Sequence, residues 1–350
     1  MLVLSDVVVR QRAHVWRIIK ANERAFLDLH NGDALIPPRI ILEFPGMQGA
    51  SLFKPGSFKN SRLFGQKVIN VRPGNAARGL GTTPAVIMLF EKETGATECI
   101  MNATYLTALR TAAGSAVATA RVTNPKVRRL VIFGAGLQAE AHVKTMCCVR
   151  DFTNVILINR NISRAEALAT QLESDLQNMP RDKSNKTLGD LGKVPQIQAV
   201  ASEDLSAVEA VCRDADVICT TTGSSTPVFE GSWLKDGAHV NAVGSYLPEN
   251  AELDIMTVQR CKRLIVDTAE AWDSGDLRNA LLQKVTSKEN ALTLGTLLNM
   301  EPLTYSVKQG ISLFKSVGSA VQDIASALQV YEDIQELHGD AADSIQQVEL

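Results

Sequence analysis

Two sets of residues in this sequence have the types and spacing to do chemistry. The first is Gly134-Ala135-Gly136-Leu137-Gln138-Ala139, which follows the apolar run Leu130-Val131-Ile132-Phe133. A short strand, a glycine turn and a helix start is the context in which G-x-G-x-x-G/A binds a dinucleotide. Gly134 permits the turn, Gly136 admits a pyrophosphate close to the backbone, and Ala139 lets helix and strand pack. The free N–H groups of Leu137, Gln138 and their neighbours then face the phosphates. The second set is Lys67, in the strand-like run Phe64 to Val71, and Arg39, between Pro38 and Ile40. A lysine in so apolar a strand either snorkels to water or is held in a cleft with a shifted pKa. Arg39 poses the same choice, with a bidentate carboxylate clamp as the functional alternative.

The residue after the second expected strand distinguishes the two nicotinamide dinucleotides. A site for NAD usually has a carboxylate there to accept from the ribose 2′-hydroxyl. This chain has Asn159 and Arg160, with Arg164 following. Guanidinium and amide donors suit a 2′-phosphate, so NADP(H) is the expected cofactor and NAD(H) the alternative. A surface arginine that merely follows a strand is the structural alternative.

The elements that must position these residues divide the chain. Residues 13–31 have helical apolar spacing with Gly32 as a stop, and short strands are expected around 52–53, 67–71, 85–90 and 98–101. An alanine-rich helix is expected over 104–121. From 128 onward strand and helix alternate, with strands at 129–133, 155–158, 197–200, 216–220, 238–243 and 263–267. These runs are apolar without alternation, as a parallel sheet covered on both faces requires. Ser163-Arg164-Ala165-Glu166 is expected as a capping box, 178–195 as a polar surface excursion, and 311–338 as a helix returning to the N-terminal sheet. The expected architecture is α/β: a Rossmann domain, 121–310, inserted into an α+β substrate-binding and dimerisation domain built from 1–120 plus 311–350.

Composition narrows the function. At 350 residues two domains are expected. Apolar residues make up 45% and charged residues 21%, with a net charge of −2, which argues against a nucleic-acid partner. The six cysteines have no metal-ligand spacing and are expected to be reduced core residues of a cytosolic protein. No apolar run approaches the ~20 residues that cross a membrane, and no secretory leader is expected.

Several runs together resemble the ornithine cyclodeaminase/mu-crystallin family. They are Pro38-Arg39, Gln66-Lys67-Val68-Ile69-Asn70, Pro73-Gly74-Asn75, Arg78-Gly79-Leu80 and Leu109-Arg110-Thr111-Ala112-Ala113. The glycine motif, His239-Val240-Asn241-Ala242-Val243-Gly244 and Lys315-Ser316-Val317-Gly318 complete the set. The resemblance implies that Arg39, Lys67 and Arg110 surround a substrate carboxylate. It places Thr82, Thr83, Arg110, Thr111, Thr220, Thr221, Val243, Gly244 and Ser316 along the cofactor, and it implies a homodimer formed through the N-terminal domain. Cyclodeaminases carry an aspartate two residues after the Val-Gly pair, where this chain has Tyr246. A phenol is no carboxylate base at pH 7. The segment therefore resembles the mu-crystallin branch, which reduces cyclic ketimines with NADPH, and Glu252 resembles that branch's active-site glutamate. A glutamate near a helix start is the structural alternative. The expected activity is NAD(P)H-dependent reduction of a small imino acid, without a metal. The alternatives are ornithine cyclodeamination, amino-acid dehydrogenation of the alanine dehydrogenase kind, and binding of NADPH and a small ligand without turnover.

Overall fold

The computed structural model describes residues 1–179, 194–301, 310–336 and, as a short strand, 346–347. In chain order the first elements are β1 (Leu2–Leu4), α1 (Asp6–Arg12), α2 (Val15–Asn31), β2 (Ala34–Leu35) and β3 (Ile40–Glu43). They continue as β4 (Ala50–Phe58), β5 (Leu63–Asn70), β6 (Ala85–Glu91), β7 (Thr97–Asn102) and α3 (Thr104–Val122). Next come β8 (Arg129–Phe133), α4 (Leu137–Val149), β9 (Asn154–Asn159), α5 (Ile162–Asn178), β10 (Gln196–Ala201), α6 (Leu205–Asp214) and β11 (Val217–Thr220). After β12 (His239–Ala242) follow α7 (Ile255–Arg260), β13 (Cys261–Val266), α8 (Gly275–Leu282), β14 (Ala291–Thr293) and α9 (Leu294–Asn299). The chain closes with β15 (Ile311–Lys315), α10 (Ala320–Gln335) and β16 (Gln346–Gln347).

The chain forms two compact units, Met1–Arg110 with Ser319–Leu350, and Thr111–Gly318. The boundaries expected at 121 and 310 therefore move to 110/111 and 318/319. The reason at the second boundary is β15, which the helix expected over 311–338 does not allow for. Ile311–Lys315 is a fully buried strand between β12 and β13, and the helix begins only at Ala320. The excursion expected at 178–195 lies, over 180–193, outside the described residues.

The first unit is a sheet ordered β16-β1-β7-β6-β5-β4-β2, with β3 also paired to β4. From β4 to β7 it is an antiparallel meander, covered on one face by α10, which also packs on α2. A pair of facing glycines decides where α10 sits. Gly56 and Gly65 are cross-strand partners, and a Cβ on them would meet Ile324 at 3.1 and 3.0 Å. Any larger side chain would lift the helix from the sheet. The N-terminus of α10 is fixed by a capping box between Ser319 and Gln322.

The second unit is a wholly parallel sheet ordered β10-β9-β8-β11-β12-β15-β13-β14. The chain winds outward through β9 and β10, then returns to the other side of β8 at β11. That reversal is the switch point at which doubly wound sheets bind ligands. The helix after β9 starts two residues earlier than the expected capping box. Asn161 is its N-cap and accepts from the Arg164 N–H at 3.0 Å.

Two histidines are sealed into this unit. His239 contacts Ser312 Oγ at 2.9 Å and Asn241 Oδ1 at 3.2 Å, while His142 contacts Ser115 Oγ at 3.0 Å and the Gln138 carbonyl at 2.7 Å. Burial pushes both imidazoles down to about 4. In the unfolded chain they titrate near 6.5, so the unfolded state takes up these protons first as the pH falls. Each histidine is expected to remove about 1.4 kcal/mol of stability per pH unit between pH 6.5 and 4. Urea unfolding at pH 7 and 5 should show a lower midpoint at pH 5, and His239→Gln should make that fall shallower. An unchanged midpoint would mean that the histidines are not held neutral.

Candidate active site

Lys67 does not snorkel. It is fully buried on the face of β5 that also carries Leu63 and Gly65, and its Nζ donates to Asp323 Oδ1 at 2.8 Å. Lys54 lies directly opposite on β4, with its Nζ 3.2 Å from Asp323 Oδ2. The Arg110 Nε is 2.7 Å from Asp323 Oδ1, and its Nη1 donates to Gln322 Oε1 at 3.1 Å. The Gln322 amide returns a bond to the Arg110 carbonyl at 2.9 Å. Three cations thus converge on one carboxylate inside the first unit. Facing lysines repel, and Asp323 is what allows the pair.

The charges act on one another. Burial pushes the Lys54 ammonium down to about 8 against the attraction of Asp323, and Arg110 and Arg39 push the same way. Burial also drives Lys67 well below its ordinary range, with Arg110 and Lys54 adding to the effect. Burial alone would raise the Asp323 carboxyl, yet Arg110, Lys54 and Lys67 hold it far below the usual carboxylate range. Arg39, just before β3, is half-buried and close enough for its charge to reach Lys54. Thr82 and Thr83 are exposed in the loop before β6. Lys54 and Asp323 are not among the residues that the sequence singles out. An unexpected lysine in a strand was the available signal for Lys54, as it was for Lys67.

In the second unit the glycine turn is built as expected. Gly134 has φ +121°, and a Cβ there would meet Thr221 Oγ1 at 2.6 Å. Gly136 is the N-cap of α4 and, as a glycine, brings no capping side chain to the helix end. The nearest atom to a Cβ on Gly136 would be an Arg164 guanidinium nitrogen at 3.7 Å, and the Arg164 Nε donates to the Ala135 carbonyl at 2.9 Å. Gln138 Oε1, in the first turn of α4, is buried with no hydrogen-bond partner among the described residues. An uncapped helix end, a neighbouring guanidinium and an orphaned amide oxygen fit the diphosphate of a dinucleotide. Asn159 ends β9 and is turned to the Asn161 carbonyl at 2.9 Å, and Arg160 is exposed.

Three residues expected along the substrate or cofactor have other work. Glu252 is fully buried and accepts five bonds from its own chain. Oε1 takes the Thr222 N–H and hydroxyl at 2.6 and 2.7 Å. Oε2 takes the Thr220 hydroxyl and the Gly244 and Ser245 N–H groups at 2.7, 2.7 and 3.2 Å. Burial pushes this carboxyl up, while Thr222, Lys315 and Thr220 pull it down. Glu252 therefore clamps the segments after β11 and β12 together, and Gly244 must be glycine because a Cβ would meet the Thr222 carbonyl at 1.8 Å. The Thr220 hydroxyl is used in that clamp. The Ser316 hydroxyl is likewise used by Asp267, which also accepts from the N–H groups of Val317 and Gly318 at 2.9 and 2.7 Å. Thr221 and Gly244 are half-buried at this edge, and Val243 and Thr111 are buried. Behind the clamp, the Lys315 Nζ donates to Asp276 at 2.8 Å and to the Ser245 carbonyl, and Asp276 accepts from the Glu252 and Leu253 N–H groups.

A doubly wound parallel sheet with an uncapped helix end at its switch point defines a dinucleotide-binding Rossmann protein. The chain belongs to the ornithine cyclodeaminase/mu-crystallin family, whose model matches residues 1–338. It is 31% identical to a Delta(1)-pyrroline-2-carboxylate reductase of Bacillus cereus, over 95% of this chain and 96% of the relative. Among solved structures it is similar to Delta(1)-pyrroline-2-carboxylate reductase of Thermococcus litoralis in complex with NADH and L-proline. There the TM-score is 0.85 at 29% identity, over 96% of this chain and 98% of that one. It is also similar to an archaeal alanine dehydrogenase dimer with bound NAD, with a TM-score of 0.80 at 28% identity, over 96% of both chains.

The ion cluster makes a stability prediction. Asp323→Ala leaves three buried cations without their shared carboxylate and should destabilise the protein by about 3–5 kcal/mol. Adding Lys54→Met should recover part of that loss in a double-mutant cycle read by urea unfolding. Equal stability of Asp323→Ala and the unmodified protein would show that the carboxylate does not hold the cluster.

Proposed function

We propose that the protein is an NAD(P)H-dependent reductase of a small imino acid, acting on a carbon–nitrogen double bond next to a carboxylate. The convergence of Lys54, Lys67 and Arg110 on Asp323 carries this reading. A buried group of side chains with excess positive charge favours an anionic ligand, and the α-carboxylate of an imino acid is one. The Thermococcus litoralis relative supports the substrate class, since its complex holds NADH with L-proline. Reduction of a five-membered cyclic imino acid yields that product.

When bound, the reduced nicotinamide supplies the hydride that reaches the imine carbon. Arg39, Lys67 and Arg110 surround the carboxylate, which fixes the face of the imine and leaves Lys67 beside the reacting carbon. The lowered proton affinity of Lys67, whose Nζ donates to Asp323, suits it to deliver a proton to the imine nitrogen. Glu252 organises the frame and handles no proton. Burial raises the Tyr246 phenol further above its ordinary value, so at neutral pH it stays protonated and cannot replace an aspartate base. Ornithine with NAD should therefore release little ammonia.

We propose NADPH as the preferred cofactor. Residues 159–164 contain no carboxylate, Arg160 is exposed at the end of β9, and Arg164 is anchored at the glycine turn. Absorbance at the nicotinamide band, followed with pyrroline-2-carboxylate or piperideine-2-carboxylate, should show faster oxidation of NADPH than of NADH, with Arg160→Asp reversing the order. Tight NADPH binding without oxidation by any imino acid would defeat the reductase reading, and equal affinity for the two cofactors would defeat the 2′-phosphate reading.

The protein is further proposed to act as a homodimer through the first unit. Ile40, Ile41 and Leu42 on β3 are exposed by 65, 55 and 46%, an apolar strand that a second copy can cover. Sedimentation should report about twice 37.9 kDa. A clean monomer at micromolar concentration would count against it.

A further inference from the structure

Away from the ion cluster, the first unit contains a cavity of about 360 Å³ between α2, α10 and the turn that joins β4 to β5. The two helices are pinned to each other. Asn22 Nδ2 donates to Ser326 Oγ at 3.0 Å, and Arg17 Nη1 donates to Asp333 Oδ1 at 2.6 Å. Helices held so close normally fill the space between them with side chains. Here Ala21, Ala25 and Ala325 face that space and are too short to fill it, and Phe58, Leu63 and Leu328 complete an apolar lining. A volume of this size, apolar with a few polar groups at its rim, is what a small-molecule site offers.

The polar groups of the rim are not equivalent. Arg62 is already engaged, 3.4 Å from Glu98 and donating to the Tyr331 hydroxyl at 3.2 Å. The side chains of Arg24, Asp28 and Glu332 form no hydrogen bond or close ion pair among the described residues. Arg24 and Asp28 are one turn apart on α2, Glu332 lines the cavity from α10, and the Arg24 charge acts on both carboxylates. Burial nevertheless raises both carboxyls above their ordinary range, with Asp33 adding to it at Asp28, and Asp333 and Glu336 at Glu332. Each stands to gain from a further cation.

The cavity is separate from the cluster around Asp323. Glu332 follows Asp323 by about two and a half turns of α10, so the two carboxylates lie on opposite faces of the helix. None of Lys54, Lys67 and Arg110 lines the cavity.

We infer that this cavity is a second, noncatalytic binding site, and that its ligand is a zwitterionic α-amino acid with a compact apolar side chain. Arg24 takes the carboxylate, Asp28 and Glu332 take the ammonium, and the side chain enters the alanine-lined space. An α-amino acid carries its two charges on either side of one carbon, and Arg24 and Asp28 offer their opposites one helical turn apart. A zwitterion also adds no net charge to a half-buried site. The inference stands apart from the reductase reading, because no turnover is needed to test it.

Calorimetry on the full chain saturated with NADPH provides the test, since an amino acid reacts only with oxidised cofactor. L-leucine is expected to bind at one site per chain, about tenfold or more tighter than glycine, through its buried side chain. N-acetyl-leucine and leucinamide each lack one of the two charges and are expected to bind about tenfold or more weakly than leucine. Arg24 is exposed, so Arg24→Met should fold normally while weakening leucine binding by a similar factor. Asp28→Asn combined with Glu332→Gln should do the same, and Lys67→Met should leave leucine binding unchanged. Leucine binding that Arg24→Met preserves and Lys67→Met removes would place the ligand in the catalytic cluster and overturn the inference. So would the absence of leucine binding, or equal binding of leucine and its two single-charge derivatives.

Discussion

A buried carboxylate between two facing lysines and an arginine sets the conditions for the rest of the first unit. Without Asp323, Lys54 and Lys67 would repel each other across adjacent strands, and neither could stay in so dry a place. Asp323 reaches them because α10 lies close to the sheet, and α10 lies close because Gly56 and Gly65 present no side chain to Ile324. The capping pair Ser319 and Gln322 fixes the start of that helix, and Gln322 also holds Arg110. Small residues in two strands, one helix cap and one carboxylate thus bring Lys54, Lys67 and Arg110 together in the first unit.

The second unit solves a related problem with acids instead of cations. Strand ends at a ligand-binding edge leave backbone N–H groups that must be satisfied without blocking the ligand. Glu252 and Asp267 take these donors from behind, the first joining the segments after β11 and β12, the second shaping the turn after β15. The Lys315–Asp276 pair anchors the backbone of Glu252 itself. Each of these four buried charges has a partner or several donors, and the start of α4 carries no capping side chain of its own.

How far the sequence revealed this follows from the range of each interaction. The glycine motif was legible because strand, turn and helix are contiguous, and the parallel sheet was legible from its unalternating apolar runs. Lys67 drew notice as a lysine in an apolar strand, but its partner Asp323 lies 256 positions later, and no local pattern joins them. Lys54 was missed because Pro55 and Gly56 beside it disguise the strand. The run 311–315 is too short to tell strand from helix by periodicity, and only its place between β12 and β13 decides the matter. Glu252, Thr220 and Ser316 were legible as residues near the site but not in their roles. A residue's type does not reveal how many donors the fold will bring to it.

The central claim is that the cluster around Asp323 is where the substrate's carboxylate is held. A crystal structure of the protein with oxidised cofactor and its amino-acid product tests this most directly. The account predicts a product carboxylate oxygen within hydrogen-bond distance of both Lys67 Nζ and Arg110, with the Asp323 pairs retained. A product whose carboxylate lies elsewhere, with no contact to Lys67, Arg110 or Lys54, would contradict it.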